Sequence, residues 1–401
     1  MLFTRVMLPS AMLLGLLTGA AAAPASDIPP AIDTSTFTQE QLLGAELFFD
    51  KGLSKPAGQS CASCHDFRHA FADPDKGSPT SGGVHTKLFG FRNAPSAKYT
   101  MFVPPLSFAG DDSGYAGGLF WDGRAATLED QAKQPFLNPF EMANKSVSDV
   151  VSRLQTRPEA ALFLSVYGGN AFSDADNAYD LLAHAIASFE RTPLFNPFSS
   201  KYDAYLNGKA QLTKRELHGL QLFEDPNRAN CASCHLDRPS PDGTPPLFTD
   251  FGFDNIGIPK NGQNLFYQDP KAINPAGAAF IDLGLGFTVP PSMQGEHNLA
   301  TNGKYKASSL RNVAITAPYS HNGYFPTLYS IVHFYNTRDV LPQCADPLTP
   351  EPAAESQGCW PVAEITNTMN TVDLGNLGLS KDEENDMVAF LQTLTDGWKG
   401  H

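Results

Sequence analysis

The pentapeptide "CASCH" occurs twice, at Cys61 to His65 and at Cys231 to His235, and C-x-x-C-H is the attachment signature of c-type haem. Two thiols three residues apart can add to the two vinyl groups on one porphyrin edge, and the adjacent histidine then sets its imidazole on the iron. Zinc and redox readings of C-x-x-C each need something absent here. A zinc site wants a second pair nearby, and a thioredoxin-type motif does not call for His at the next position twice. Two covalent haems are therefore expected, one held by Cys61, Cys64 and His65 and the other by Cys231, Cys234 and His235.

The elements that must position these motifs are duplicated too. "FTQEQLLGAELFFD" before the first motif aligns with "LTKRELHGLQLFED" before the second, sharing Thr, Leu, Gly, Leu, Phe and Asp in register. Each copy opens with a capping box, Thr38 with Gln41 and Thr213 with Glu216, followed by apolar residues at helical spacing. Ser380 and Glu383 start a further helix with one apolar face through Met387, Phe390, Leu391 and Leu394. Between these helices the chain is rich in Pro, Gly and Asn with few strand-like alternations. The expected fold is mainly α: two tandem c-type cytochrome domains with long loops, each binding one covalent haem. The prolines of "RTPLFNPFSSKYDAYLNG" place the boundary, giving an N-terminal domain over 26–195 and a C-terminal domain over 196–401.

Composition narrows the setting. A formal net charge of -14 argues against nucleic acid as a partner, since binding there relies on releasing counterions with basic side chains. Arg5, the apolar run "VMLPSAMLLGLLTGA" and the small residues "AAAPAS" read as a signal peptide over 1–25 and hence export to the periplasm. That run is short of the ~20 residues of a spanning helix, so no stable membrane span is expected in the mature protein. Cys344 and Cys359 are left over from the two motifs and suggest a disulfide, which on the chain-entropy model stabilises by about 3 kcal/mol and persists in an oxidising compartment.

Function turns on what faces each iron opposite its histidine, because two strong protein ligands make an electron carrier and an open position admits peroxide. In "TLYSIVHFYN", Leu328, Ile331, Val332 and Tyr335 fall on one helical stripe, with His333 roughly 200° away from Tyr335 at the edge or surface. Helical phase leaves Tyr335 as either a core tyrosine or an iron ligand.

Both "CASCH" motifs, "GLFWDGRAATLEDQAKQPFLNPFEMA", "FSSKYDAYLNG", "FTDFGFDNIGIP" and "SSLRNVAITAPYSHNGYFPTLYSIVHFYN" together resemble the diheme cytochrome c peroxidase and MauG superfamily over almost the whole mature chain. The resemblance implies that Tyr335 is an axial ligand of the second haem, where typical bacterial diheme peroxidases place methionine and MauG places tyrosine. An anionic phenolate favours oxidised iron, so the sequence looks closest to MauG-like proteins. It also implies that Trp121 couples the haems, that Gln131, Pro135 and Glu141 form the distal pocket of the first haem, and that Glu141 moves the peroxide proton with Gln131 orienting it. Asn93, Thr316 and Pro318 match positions that bind a calcium ion between the domains in relatives. His85 lies in the loop where classical diheme peroxidases carry a displaceable distal histidine, which MauG lacks. Ala229 replaces the tryptophan that MauG presents to its protein substrate.

The expected function is a periplasmic diheme enzyme that reacts with hydrogen peroxide, stores two oxidising equivalents in a high-valent diheme state, and oxidises a periplasmic protein or other donor. The alternatives are a cytochrome c peroxidase reducing hydrogen peroxide to water with a small cytochrome or cupredoxin as redox partner, and a non-catalytic diheme electron carrier.

Overall fold

The computed structural model describes residues 27–74, 79–110, 114–290 and 300–400; the expected signal peptide lies outside them. The first half carries α1 (Gln39–Phe49), α2 (Cys61–Cys64), α3 (Leu128–Leu137), α4 (Val147–Leu154), α5 (Ala160–Tyr167) and α6 (Ala175–Glu190). The second carries α7 (Lys201–Leu206), α8 (Lys214–Glu224), α9 (Leu285–Thr288), α10 (Leu328–Thr337), α11 (Ala353–Gln357) and α12 (Lys381–Gln392). Strands are short: β1 (Ser107–Gly110) pairs antiparallel with β2 (Gly114–Ala116), and β3 (Phe253–Asp254) with β4 (Tyr305–Lys306). No helix among the described residues is long and apolar enough to cross a membrane.

The three capping boxes form as the sequence indicates, at Thr38, Thr213 and Ser380, each satisfying backbone N–H groups that the first turn leaves unpaired. α1 then packs on α6, and α8 on α12. Each crossing is set by the glycine that the two copies share. A Cβ on Gly44 would stand 1.9 Å from the carbonyl oxygen of Ala185, and one on Gly219 would stand 2.0 Å from that of Asp386. Neither neighbour is a flexible side-chain end, so the helices would have to separate. Gly44→Ala and Gly219→Ala should each destabilise the protein by about 1–3 kcal/mol, although alanine is the better helix former. Thermal denaturation checks this, and a melting point at or above wild type would refute the close-crossing explanation.

Two aromatic cores follow. The first runs from Ile32 to Phe195 and centres on Phe48, Phe71, Phe189 and Phe195; the second runs from Tyr202 to Leu394 and centres on Phe223, Phe248 and Phe390. Cys344 and Cys359 are joined in a disulfide that ties the segment after α10.

Candidate haem sites

Each C-x-x-C-H motif sits just beyond its amphipathic helix, and its histidine is oriented by the backbone. His65 Nδ1 lies 2.9 Å from the carbonyl oxygen of Phe71, and His235 Nδ1 lies 3.0 Å from that of Phe248. Both phenylalanines adopt positive φ, 55° in each case, which turns their carbonyls towards the imidazoles. A carbonyl can only accept, so Nδ1 carries the proton and Nε2 keeps its lone pair for a metal. Burial holds both imidazoles below the usual histidine range, in the neutral form that iron requires. Residue type does not reveal a carbonyl partner, but Phe71 and Phe248 both stand in a Phe-x-Asp triplet, a repeat that could have pointed to them.

Burial also raises the four motif cysteines, Cys64 and Cys231 to about 12. They are therefore neutral thiols, unlike the activated thiolates of redox C-x-x-C motifs. Neutral paired thiols beside an imidazole with a free Nε2 fit covalent haem.

The first motif opens into a cavity lined mainly by apolar side chains, with a few polar groups among them. Cys61, Cys64, His65, Asn93, Trp121, Gln131, Pro135 and Glu141 all line it. Burial pushes the Glu141 carboxyl up to about 7, against the lowering influence of Arg124 and a hydrogen bond with Asn138. Asn138 is a hydrogen-bonding neighbour of Glu141, and Gln131 lines the same wall. A second acid was not singled out from the sequence. Glu190, the last residue of α6, is buried on the cavity wall near Cys61, and burial raises its carboxyl to about 8. The signal was available, since Glu190 follows the buried Ile186 at i+4 on an apolar stripe.

The Trp121 indole N–H donates to the carbonyl oxygen of Asn93 at 2.8 Å, while the Trp121 carbonyl accepts from the Lys306 N–H at 3.0 Å. The residue thus touches both halves. Asn93 Nδ2 lies 2.7 Å from the carbonyl oxygen of Pro318, and its buried Oδ1 has no hydrogen-bond partner. Thr316 stands two residues before Pro318, its hydroxyl turned back to the Val313 carbonyl at 3.3 Å. His85 is exposed and does not line the cavity.

At the second site, Tyr335 lies partly buried on α10. Its phenol is held well above the usual tyrosine range, first by burial and then by the nearby Cys231 and Cys234 sulfurs, which would carry no charge as thioethers. His333 stands at the partly exposed edge of α10, its side chain 20% exposed, with Nδ1 2.8 Å from Glu384 Oε1 and its ring parallel to Tyr329 and near Trp360. α10 is enclosed on more than one side, with Ser330, Phe334 and Asn336 buried as well as Leu328 and Val332, because α12 covers the face away from the motif.

A second duplication relates the two sites. Leu119 bridges to Ala125 as Tyr319 does to Phe325. Phe120 and Ser320 have positive φ, as do Gly123 and Gly323. Thr127 caps α3 as Thr327 caps α10. Counting eight residues on from each cap reaches Pro135 in one copy and Tyr335 in the other. One motif is thus faced by a side chain with no donor atom and the other by a phenol.

A mainly helical chain with two such C-x-x-C-H sites defines a class of di-haem c-type oxidoreductases. Residues 38–211 match the family described as "Di-haem cytochrome c peroxidase". The chain is 37% identical over 360 residues to "Methylamine utilization protein MauG" of Paracoccus denitrificans, covering 88% of each chain. It is 34% identical over 325 residues to "Cytochrome c peroxidase Ccp" of Escherichia coli, covering 80% of this chain and 58% of that one. Its fold matches the crystal structure of the diheme peroxidase BthA from Burkholderia thailandensis with a TM-score of 0.71 and 33% identity, over 91% of this chain and 89% of that one. The chain belongs to the di-haem cytochrome c peroxidase and MauG superfamily, and is a haem-dependent oxidoreductase of that type.

Proposed function

We propose that the chain is a periplasmic di-haem peroxidase that reduces hydrogen peroxide to water at the cavity of the first motif, drawing electrons from a small redox protein through the second. The observation that carries this reading is the cavity beside the first motif, walled by Pro135, which has no donor atom, and by the buried acid Glu141. Held by Cys61 and Cys64 and by Cys231 and Cys234, two c-type haems would supply the iron chemistry, the first to react with peroxide and the second to relay electrons. His65 and His235, each with Nδ1 turned to a backbone carbonyl, would hold the irons. Glu141 accepts a proton from one peroxide oxygen and returns it to the other, so that the departing oxygen leaves as water. Asn138 fixes the Glu141 carboxyl, while Gln131 and Pro135 shape the wall. Trp121, tied to both halves, lies on the electron route, and the domains divide at 195/196. The orphaned Oδ1 of Asn93 beside the Pro318 carbonyl supports a calcium ion there with Thr316, since hard cations take such oxygens.

A second reading, in which the oxidising equivalents pass to a residue of a partner protein, is favoured by Tyr335 and the MauG relative. The peroxidases among the relatives support the first more broadly. Stopped-flow mixing of peroxide with the diferric and half-reduced protein, with ferrous cytochrome c as donor, separates them. Oxidation of two donors per peroxide supports the peroxidase. A long-lived oxidised state in the diferric protein with little donor turnover supports the second reading, and inertness in both redox states excludes both.

A further inference from the structure

The first cavity reaches solvent through a groove whose chemistry exceeds what hydrogen peroxide needs. Phe91, Phe120, Phe140 and Glu141 belong to both cavity and groove, whereas Leu137, Phe280 and Phe287 line the groove alone. Phe287 and Leu137 are 46% and 38% exposed, and Ile281 beside Phe280 is 48% exposed. Apolar side chains gathered at one mouth, rather than scattered singly, mark a binding surface. The walls are braced from behind: the buried Phe266 ring stands 5.3 Å from Phe91, 5.9 Å from Phe140 and 5.0 Å from Phe280. At the rim the Arg124 guanidinium lies 3.5 Å over the Phe120 ring and is held by Asp122 at 2.8 Å and Gln134 at 3.0 Å.

Hydrogen peroxide is small and polar and gains nothing from phenyl walls. A substrate with a peroxide group at one end and an apolar body at the other would use both features, the first at Glu141 and the second against the rings. We infer that this groove binds the apolar body of an organic hydroperoxide, aromatic or branched alkyl, and that such hydroperoxides are substrates alongside hydrogen peroxide. The inference rests on the peroxidase reading above. The O–O bond breaks, the oxygen bearing the organic group leaves as the alcohol, and the other oxygen ends as water. Glu141 takes the hydroperoxide's own proton and returns it to the oxygen that leaves as the alcohol, while two electrons from the reduced redox protein and two protons from solvent turn the other oxygen into water.

Cumene hydroperoxide and hydrogen peroxide, each offered to the holoprotein with ferrous cytochrome c, test the turnover. Calorimetric titration with 2-phenyl-2-propanol, the inert alcohol product, tests the groove without catalysis. The expected results are turnover of both peroxides, measurable binding of the alcohol, and in Phe287→Ser and Leu137→Ser a fall of roughly tenfold or more in the kcat/KM ratio of cumene hydroperoxide to hydrogen peroxide, the scale of one lost apolar contact. Loss of alcohol binding should accompany that fall. Turnover of hydrogen peroxide alone, no alcohol binding to the wild type, or an unchanged ratio in both variants overturns the inference while leaving the peroxidase reading in place. Failure with both peroxides sinks the two together.

Discussion

Glu141→Gln should slow the reaction with peroxide by roughly 10²–10⁴-fold while both haems stay attached and peroxide still reaches the cavity. Glutamine keeps the size and the hydrogen bond to Asn138 but cannot accept a proton at working pH. The wild-type rate should also carry a titration that the variant lacks. Burial raises the Glu141 carboxyl to about 7, so below that pH the group is already protonated and cannot take the peroxide proton. The rate should therefore rise as pH increases through about 7 and level off above it, and the Gln variant should be flat across the same window. Asn138→Ala removes an interaction that favours the carboxylate, so its rising limb should move to higher pH. Single-turnover rates from pH 5 to 9 check all three profiles. A Glu141→Gln variant that keeps the wild-type rate and pH limb would assign the proton transfer elsewhere, with the buried Glu190 on the same wall as the next group to replace.

Much of this was legible in the sequence where the signal is local. Capping boxes at Thr38, Thr213 and Ser380 name helix starts because side chain and backbone satisfy each other within one turn. The shared glycine of the duplicated helices was visible, but its reason was not: the carbonyls of Ala185 and Asp386 that demand it lie far along the chain. The same limit hid Asn138 and the Phe71 and Phe248 carbonyls, since what those groups do depends on backbone direction rather than residue type. Helical phase put Tyr335 on a stripe facing inwards and His333 at an edge. It could not foresee that α12 would line that edge, where Glu384 offers His333 a buried partner. The correspondence of Pro135 with Tyr335 was masked because the two segments share little beyond a glycine, a threonine and a leucine; the recurring turn geometry reveals it.

That correspondence makes the second large prediction, which concerns how many irons can take an external ligand. Pro135 lies inside α3, where proline costs about 3 kcal/mol relative to alanine, so its presence calls for a reason beyond helix stability. On the proposed reading, Pro135, having no donor atom, would leave the first iron open, whereas the phenol at the matching position would close the second. Cyanide titration of the diferric protein should accordingly saturate at one equivalent in the wild type. Tyr335→Phe, nearly isosteric and expected to change stability by less than about 1.5 kcal/mol, should raise this to two. Pro135→His, which restores a backbone donor to α3 and sets an imidazole towards the first cavity, should lower it to none and abolish the reaction with peroxide. Tyr335→His should keep both haems attached and the second iron closed, but should raise its potential, because a neutral imidazole no longer favours oxidised iron as a phenolate does. If Tyr335→Phe still binds a single cyanide and its second haem keeps the wild-type optical spectrum, Tyr335 is a core tyrosine and the iron is closed by another group. The stoichiometry in Pro135→His then decides independently whether α3 faces the first iron at all.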